Sequence, residues 1–166
     1  KQYPTLDYER LDEMIQAEIP SAQKISLYGK LHLKDYYRTD LHWKQEKITG
    51  VVDTLVQSMG QQTNTVSGGW QVATENFIGA YGAASALKTT PDNPECHNGK
   101  KLLLFRDSFG SSIAPLLAEY YEEVTLVDLR YVSASHALEL LGGTEYQDVL
   151  FLYSAPILNH GDSLRF

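Results

Sequence analysis

Lys101-Leu102-Leu103-Leu104-Phe105-Arg106-Asp107-Ser108-Phe109-Gly110 is the stretch on which the fold turns. Its apolar run is too short for a helix and long enough for a strand buried on both faces. A turn follows, and then Ile113, Leu116, Leu117 and Tyr120 recur at helical spacing. Proline is tolerated in a helix only in its first turn, so Pro115 predicts a start near Ser111 or Ser112. Val124 to Val127 is a second apolar run. Ser133 to Leu141 reads as a helix stopped by Gly142 and Gly143, and Val149 to Tyr153 is a third run. Strand, helix, strand, helix, strand with short connections implies right-handed crossovers and a parallel sheet.

Upstream, Leu6, Leu11, Met14 and Ile15 predict a helix ended by Pro20, and the alternation in Lys24 to Tyr28 predicts a strand. Tyr36 to Trp43 mixes polar and aromatic residues and reads as loop rather than core. Ile48, Val51, Val52, Leu55, Val56 and Met59 form the stripe of an amphipathic helix closed by Gly60. Residues 61 to 99 are weakly patterned, and Thr90 to Gly99 reads as loop.

Composition narrows the function classes. A chain of 166 residues suffices for one domain with a core. A net charge of −7 argues against a nucleic-acid partner. The single cysteine, Cys96, excludes an intrachain disulfide and a cysteine-cluster metal site. No apolar run approaches the roughly 20 residues of a membrane helix, and the polar start, Lys1 to Asp7, is not a signal peptide. Eleven tyrosines and two tryptophans suit sugar faces, although tyrosine is common on any surface.

Ligands of an open parallel sheet bind beyond the carboxyl ends of its strands. Three segments are expected there: Arg106 to Gly110, Asp128 to Tyr131, and Ser154 to Asn159. A serine between a strand and a helix sits on a sharp turn with its hydroxyl exposed and helix-start N–H groups nearby. Gly110 leaves room for a substrate to approach the backbone. Ser108 equally fits a helix cap. Asp107 opens a third option, the nucleophile of a phosphotransferase, but Phe109 stands where such sites place a second acid. A serine nucleophile needs a histidine base, and the base an orienting group. Of His32, His42, His97, His136 and His160, His42 is taken as the candidate base: Asp40, two residues away, lies on the same side of an extended stretch. A solvated loop histidine is the alternative. His160, beside the third strand end, is the weaker candidate. No spacing indicates a metal motif.

Tyr37-Arg38-Thr39-Asp40-Leu41-His42-Trp43 resembles the Asp-His-His-Trp (DHHW) signature of a bacterial SGNH-hydrolase-like family related to the alginate O-acetyltransferases. Leu103 to Phe109 resembles its Asp-Ser-Phe motif, Val127 to Tyr131 an Asp-Leu-Arg-Tyr motif, and Phe77 to Gly82, loosely, a Phe-x-Gly segment. The Asp-x-His pair precedes the serine, which matches the permuted order of such proteins. Leu41 replaces the first histidine of the signature, and Lys44 stands where a threonine is common.

The resemblance covers roughly residues 34 to 154. It implies a three-layer α/β sandwich with a mainly parallel sheet, one domain over 1–166, truncated at its N-terminus and shortened between 82 and 101. It implies Ser108 as nucleophile, His42 as base and Asp40 as orienter. The expected oxyanion donors are the backbone at Ser108 and Gly110, with Asn159. Trp43, Arg38, Arg106, Arg130 and Tyr131 are the expected substrate contacts, with packing under the following helix as the alternative for Trp43 and pairing with neighbouring carboxylates as the alternative for the arginines. The implied reaction is O-acetyl transfer or deacetylation on an extracytoplasmic polysaccharide. No cofactor is called for, and the acetyl donor is supplied by a membrane acyltransferase partner. The competing expectation is a glycan-binding or assembly module without turnover.

Overall fold

In the computed structural model, residues 7–63, 87–89, 96, 98–160, 162, 164 and 165 are described. The elements run in chain order as α1 (Tyr8–Glu18), α2 (Thr49–Ser58), β1 (Leu87–Thr89), β2 (Lys101–Arg106), α3 (Gly110–Leu117), β3 (Glu123–Val127), α4 (Ala134–Leu141), β4 (Asp148–Leu152) and α5 (Ala155–Asn159). The strand order is β1-β3-β2-β4. β2 pairs in parallel with β3 and β4, and β1 is antiparallel on β3.

This order dictates the layers. The chain leaves β2 through α3 to β3 on one side, then returns through α4 to β4 on the other. Right-handed crossovers in opposite directions put their helices on opposite faces. Accordingly Ile113 and Leu117 of α3 pack with Val51, Val52, Leu55 and Val56 of α2 in one cluster. Ala137 and Leu141 of α4 pack in the other. β2 serves both at a period of two: Leu102 and Leu104 face the first cluster, Leu103 and Phe105 the second. The result is a three-layer α/β sandwich around a three-stranded parallel core.

The helix ends follow their sequence signals. Asp7 caps α1 by accepting the Arg10 N–H at 2.9 Å. Ser133 caps α4 by accepting the His136 N–H at 3.2 Å. Gly142, at φ 49°, and Gly60, at φ 74°, take the left-handed conformations that follow helices α4 and α2.

Three expectations are corrected. Lys24 to Tyr28 is not a strand. Its alternation packs Ile25 and Leu27 on the first cluster, and among the described residues no strand pairs with it. α3 begins at Gly110 and not at Ser111 or Ser112, because Asp107 to Phe109 already turns: the Gly110 and Ser111 N–H groups bond the carbonyls of Asp107 and Ser108 at 3.1 and 3.2 Å. Pro115 therefore lies inside the helix. β1 was not foreseen, being three residues in the weakly patterned stretch. The Phe-x-Gly segment, Phe77 to Gly82, lies outside the described residues.

Candidate functional site

β2 is the strand at which the connections diverge, so its carboxyl end opens a crevice between the β3 and β4 sides. Ser108 stands there. The three strand ends are tied together by buried side chains. Asp107, 1% exposed, accepts the Phe109 N–H on Oδ1 at 2.9 Å and the Ser154 N–H on Oδ2 at 2.8 Å. Arg106, 4% exposed, reaches Asp128 Oδ2 at 3.3 Å from beyond β3. Asp107 thus holds its own turn and the end of β4 at once. Both its oxygens are engaged in backbone bonds, which removes it as a phosphotransferase nucleophile.

The second half of the site arrives on a loop closed by a bridge between Tyr36 and Trp43 and by the Tyr37 N–H donating to the His42 carbonyl at 3.0 Å. Asp35 steadies its base by accepting the His32 N–H at 2.8 Å. At its tip, Asp40 Oδ1 accepts the His42 backbone N–H at 3.0 Å and faces His42 Nδ1 at 2.6 Å. The other ring nitrogen, Nε2, lies 2.7 Å from Ser108 Oγ, across 66 positions of sequence.

The bonding sets the proton positions. An ionised carboxylate only accepts, so Nδ1 carries the hydrogen. Nε2 of the neutral ring is then free to accept the Ser108 hydroxyl. The backbone bond from His42, and then the bond from its ring, hold the Asp40 carboxyl below its ordinary value of 3.8. Phe109 packs against the imidazole at 4.7 Å between ring centroids.

The other expected site residues separate into distinct groups. Trp43, expected either at a sugar or packed under the following helix, is 6% exposed. Its Nε1–H donates to Ser112 Oγ at 2.6 Å, and its ring meets Phe109 edge-on at 5.1 Å. It anchors the His42 loop to α3, leaving a sliver of surface. Gly110 was expected as an oxyanion donor with room for substrate. Its N–H is bonded to the Asp107 carbonyl, and the room is filled: a Cβ there would lie 2.4 Å from the Arg106 Cβ. Arg106 and Arg130 were expected at an acidic sugar. Both are spent on Asp128, which Arg130 grips in two places, Nε to Oδ1 at 2.9 Å and Nη2 to Oδ2 at 2.6 Å. Those bonds raise the Arg130 pKa. Arg38 and Tyr131 are exposed, with Tyr131 under the Arg130 guanidinium at 5.4 Å. Asn159 is an exposed residue at the end of α5. The Ser108 N–H has no bonded acceptor among the described residues.

His136 contacts Glu139 at 3.4 Å and His160 is exposed, while His97 lies outside the described residues. Among the described residues no three His, Cys, Asp or Glu side chains converge as a metal ligand set. Two contributors went unread in the sequence: Asp107 as a two-ended clamp and Ser112 as the acceptor for Trp43. Ser112 is four residues beyond Ser108, one helical turn, and that spacing was its only signal.

With this geometry in place, comparison with solved structures is informative. The crystal structure of a DHHW family protein from Eubacterium siraeum superposes with a TM-score of 0.53 at 18% identity, covering 80% of this chain. By fold, the chain is similar to that DHHW family protein. It spans 65% of that protein's length. Two structures of Bacillus cereus PatB1, one with a sulfonyl adduct, match at 17% identity and a TM-score of 0.48, covering 75% of this chain and 62–63% of theirs. No family model matches the sequence, and no curated protein does.

Proposed function

We propose that the protein carries out acyl-ester chemistry, O-acetyl transfer or deacetylation, on an extracytoplasmic polysaccharide, with Ser108 as nucleophile, His42 as base and Asp40 as orienter. What carries the reading is the chain of contacts from Asp40 through both nitrogens of His42 to Ser108, 2.6 and 2.7 Å long, at the carboxyl end of a parallel strand. A serine that merely capped α3 would need no histidine, and Ser108 caps nothing: Phe109 is the residue at the cap position.

The steps follow from the groups present. Ser108 Oγ attacks the acetyl carbonyl while its proton passes to His42 Nε2. The imidazolium is held by Asp40. The Ser108 N–H faces the developing oxyanion. The tetrahedral intermediate collapses, the carbon–oxygen bond to the donor alcohol breaks, and that alcohol leaves with the proton from Nε2. A sugar hydroxyl or water then gives its proton to Nε2 and attacks the acetyl-serine; the bond from the acetyl carbon to Oγ breaks, Oγ takes the proton back from Nε2, and acetylated sugar or acetic acid leaves. The donor is an acetyl ester presented outside the cytoplasm by a membrane acyltransferase partner.

The test is hydrolysis of a small aryl acetate by the purified chain. Slow turnover is expected, falling by about 100-fold or more in Ser108→Ala. Undiminished turnover in Ser108→Ala would assign the chemistry to another residue. Acetylated sugar formed in the presence of acceptor oligosaccharides distinguishes transfer from deacetylation, because a bound hydroxyl can outrun water by orders of magnitude.

A further inference from the structure

The Asp128-Leu129-Arg130-Tyr131 motif adds no atom to the contacts that run from Asp40 to Ser108, yet its aspartate is buried just beyond β3, next to the nucleophile's strand. Asp128 accepts from two guanidinium groups at once: Arg106 Nη1 at 3.3 Å, and Arg130 Nε and Nη2 at 2.9 and 2.6 Å. Arg106 is buried with it, while Arg130 is partly exposed. Burial lowers the Arg106 pKa, and the Asp128 charge opposes that shift. Hydrophobic side chains of similar volume often stabilise such a place as well or better than a buried ion pair. Packing alone is therefore a poor account of a guanidinium at position 106.

What Arg106 holds gives a better one. Its stem lies against Gly110, where a Cβ would come within 2.4 Å of the Arg106 Cβ. Its Nη1 has two hydrogens. One goes to Asp128, and the other goes to the Asp107 carbonyl, also at 3.3 Å. The Gly110 N–H reaches the same carbonyl at 3.1 Å. That carbonyl belongs to the peptide group whose N–H is that of Ser108. The group is planar and trans, so its C=O and N–H point in opposite directions. Two donors that fix the carbonyl thereby fix the direction of the Ser108 N–H. The cation also polarises the group. A charged donor on the carbonyl draws electron density from the amide nitrogen and strengthens its N–H, as in any chain of hydrogen bonds. The Ser108 N–H bonds no acceptor among the described residues, which leaves it free for a ligand.

We propose that Arg106 is a positioning residue for the oxyanion: held by Asp128 and seated on Gly110, it orients and polarises the Asp107–Ser108 peptide, so that the Ser108 N–H is a stronger donor than an ordinary amide. The proposal rests on the acyl-ester reading above, in which that N–H faces the tetrahedral intermediate. Arg106 touches no substrate. Its effect grows as negative charge gathers on the acetyl oxygen, so it acts on kcat rather than on KM. Arg130 keeps Asp128 in place, and the motif thus serves the nucleophile from the neighbouring strand.

Two substitutions test this. Arg106→Met removes the cation and keeps an unbranched stem against Gly110, while Asp128 retains Arg130 as its partner. Arg106→Lys keeps the charge but lacks the fork that serves Asp128 and the carbonyl together. Aryl acetate turnover is measured per folded molecule, with the folded fraction taken from an unfolding curve, so that lost stability alone does not register. Arg106→Met should lower kcat by about tenfold or more with KM changed by less than about twofold, a smaller loss than removal of a whole oxyanion donor. Arg106→Lys should recover part of that loss. Carbon-13 and nitrogen-15 NMR reads the peptide itself. The Asp107 carbonyl carbon and the Ser108 amide nitrogen should both move upfield from the parent through the lysine to the methionine variant. Should Arg106→Met not fold, Arg106→Lys carries the test, with kcat lowered about threefold and both resonances upfield of the parent. A parent-level kcat in every folded variant, a loss confined to KM, or resonances that stay in place overturns the proposal. A parent chain without aryl acetate turnover would instead overturn the acyl-transfer reading, and the two resonances would still decide whether Arg106 polarises the peptide.

Discussion

The turn that carries Ser108 and the loop that carries His42 meet at 2.7 Å but are held by different physics. The turn grows out of β2, whose residues are buried from Leu102 onward between two clusters. Its shape is enforced by a buried carboxylate that bonds both its own backbone and the end of β4. The loop has little core beneath it: Tyr37, Arg38, Thr39, Asp40 and Leu41 are all exposed. It is held by the bridge, by backbone bonds at its tip and at Asp35, by Tyr36 against the first cluster, and above all by the buried Trp43, locked to α3 through Ser112 and Phe109. Ser108 is thus placed by the sheet, and His42 mainly by Trp43. Damage to the loop is expected to cost activity through lost alignment. Damage to the turn is expected to cost stability.

Trp43→Ala tests the sharpest form of this contrast. Removing a large buried aromatic costs about 3–5 kcal/mol in general. Here it also releases the loop from α3. A thermal or urea unfolding curve should show the stability loss, and aryl acetate turnover should fall by more than the folded fraction falls. Turnover that simply tracks the folded population would mean that the loop has another anchor.

Gly110→Ala probes the turn. The new methyl group meets the stem of Arg106, a buried part of the side chain that cannot swing away, and overpacking of this kind costs about 1–3 kcal/mol. The loss should appear in the unfolding midpoint. A midpoint unchanged from the parent would show that the turn yields more readily than its two-ended clamp implies.

Asp40→Asn should give the smallest of the three effects, about a tenfold loss of turnover with the fold intact. A buried triad aspartate contributes about 10⁴-fold, but Asp40 is exposed and water screens it. The asparagine amide can present its nitrogen to Nδ1 and favour the wrong tautomer. The bonds from His42 lower the Asp40 pKa, so whatever they stabilise is fully present above the ordinary 3.8 and is lost only as pH falls through the lowered value. A carbon-13 NMR titration should find the Asp40 midpoint below 3.8. A midpoint at or above it would show that the contact with His42 does not persist in solution.

The same contrast explains what was legible in the sequence. The sheet side was readable because short apolar runs, a helical stripe and two glycines are local signals with few structural solutions. The Asp40 and His42 spacing fits a pair sharing one side of an extended chain, but Glu95 with His97 and His160 with Asp162 have the same spacing, so the resemblance of the surrounding motif decided between them. The sequence left Trp43 open between a sugar contact and packing under the following helix, because its burial depends on Ser112 and Phe109, some 66 to 69 positions away. The sequence left Arg106 and Arg130 open between an acidic sugar and neighbouring carboxylates, because their shared contact with Asp128 is a long-range or turn-specific pairing that composition cannot reveal. Gly110 was read as space for a ligand, and the space proved to belong to Arg106. The early start of α3 was hidden by Pro115, whose rule is statistical and yields to a turn already wound before it.

The central claim is that His42 and Asp40 activate Ser108. It is tested most directly by covalent labelling with phenylmethylsulfonyl fluoride, followed by peptide mapping. A serine activated in this way attacks the sulfonyl fluoride while a distant serine does not. The account predicts one modified position, Ser108, no modification in Ser108→Ala, and labelling slowed by at least about tenfold in His42→Ala. Labelling that persists in Ser108→Ala, or that proceeds at the parent rate in His42→Ala, would contradict it.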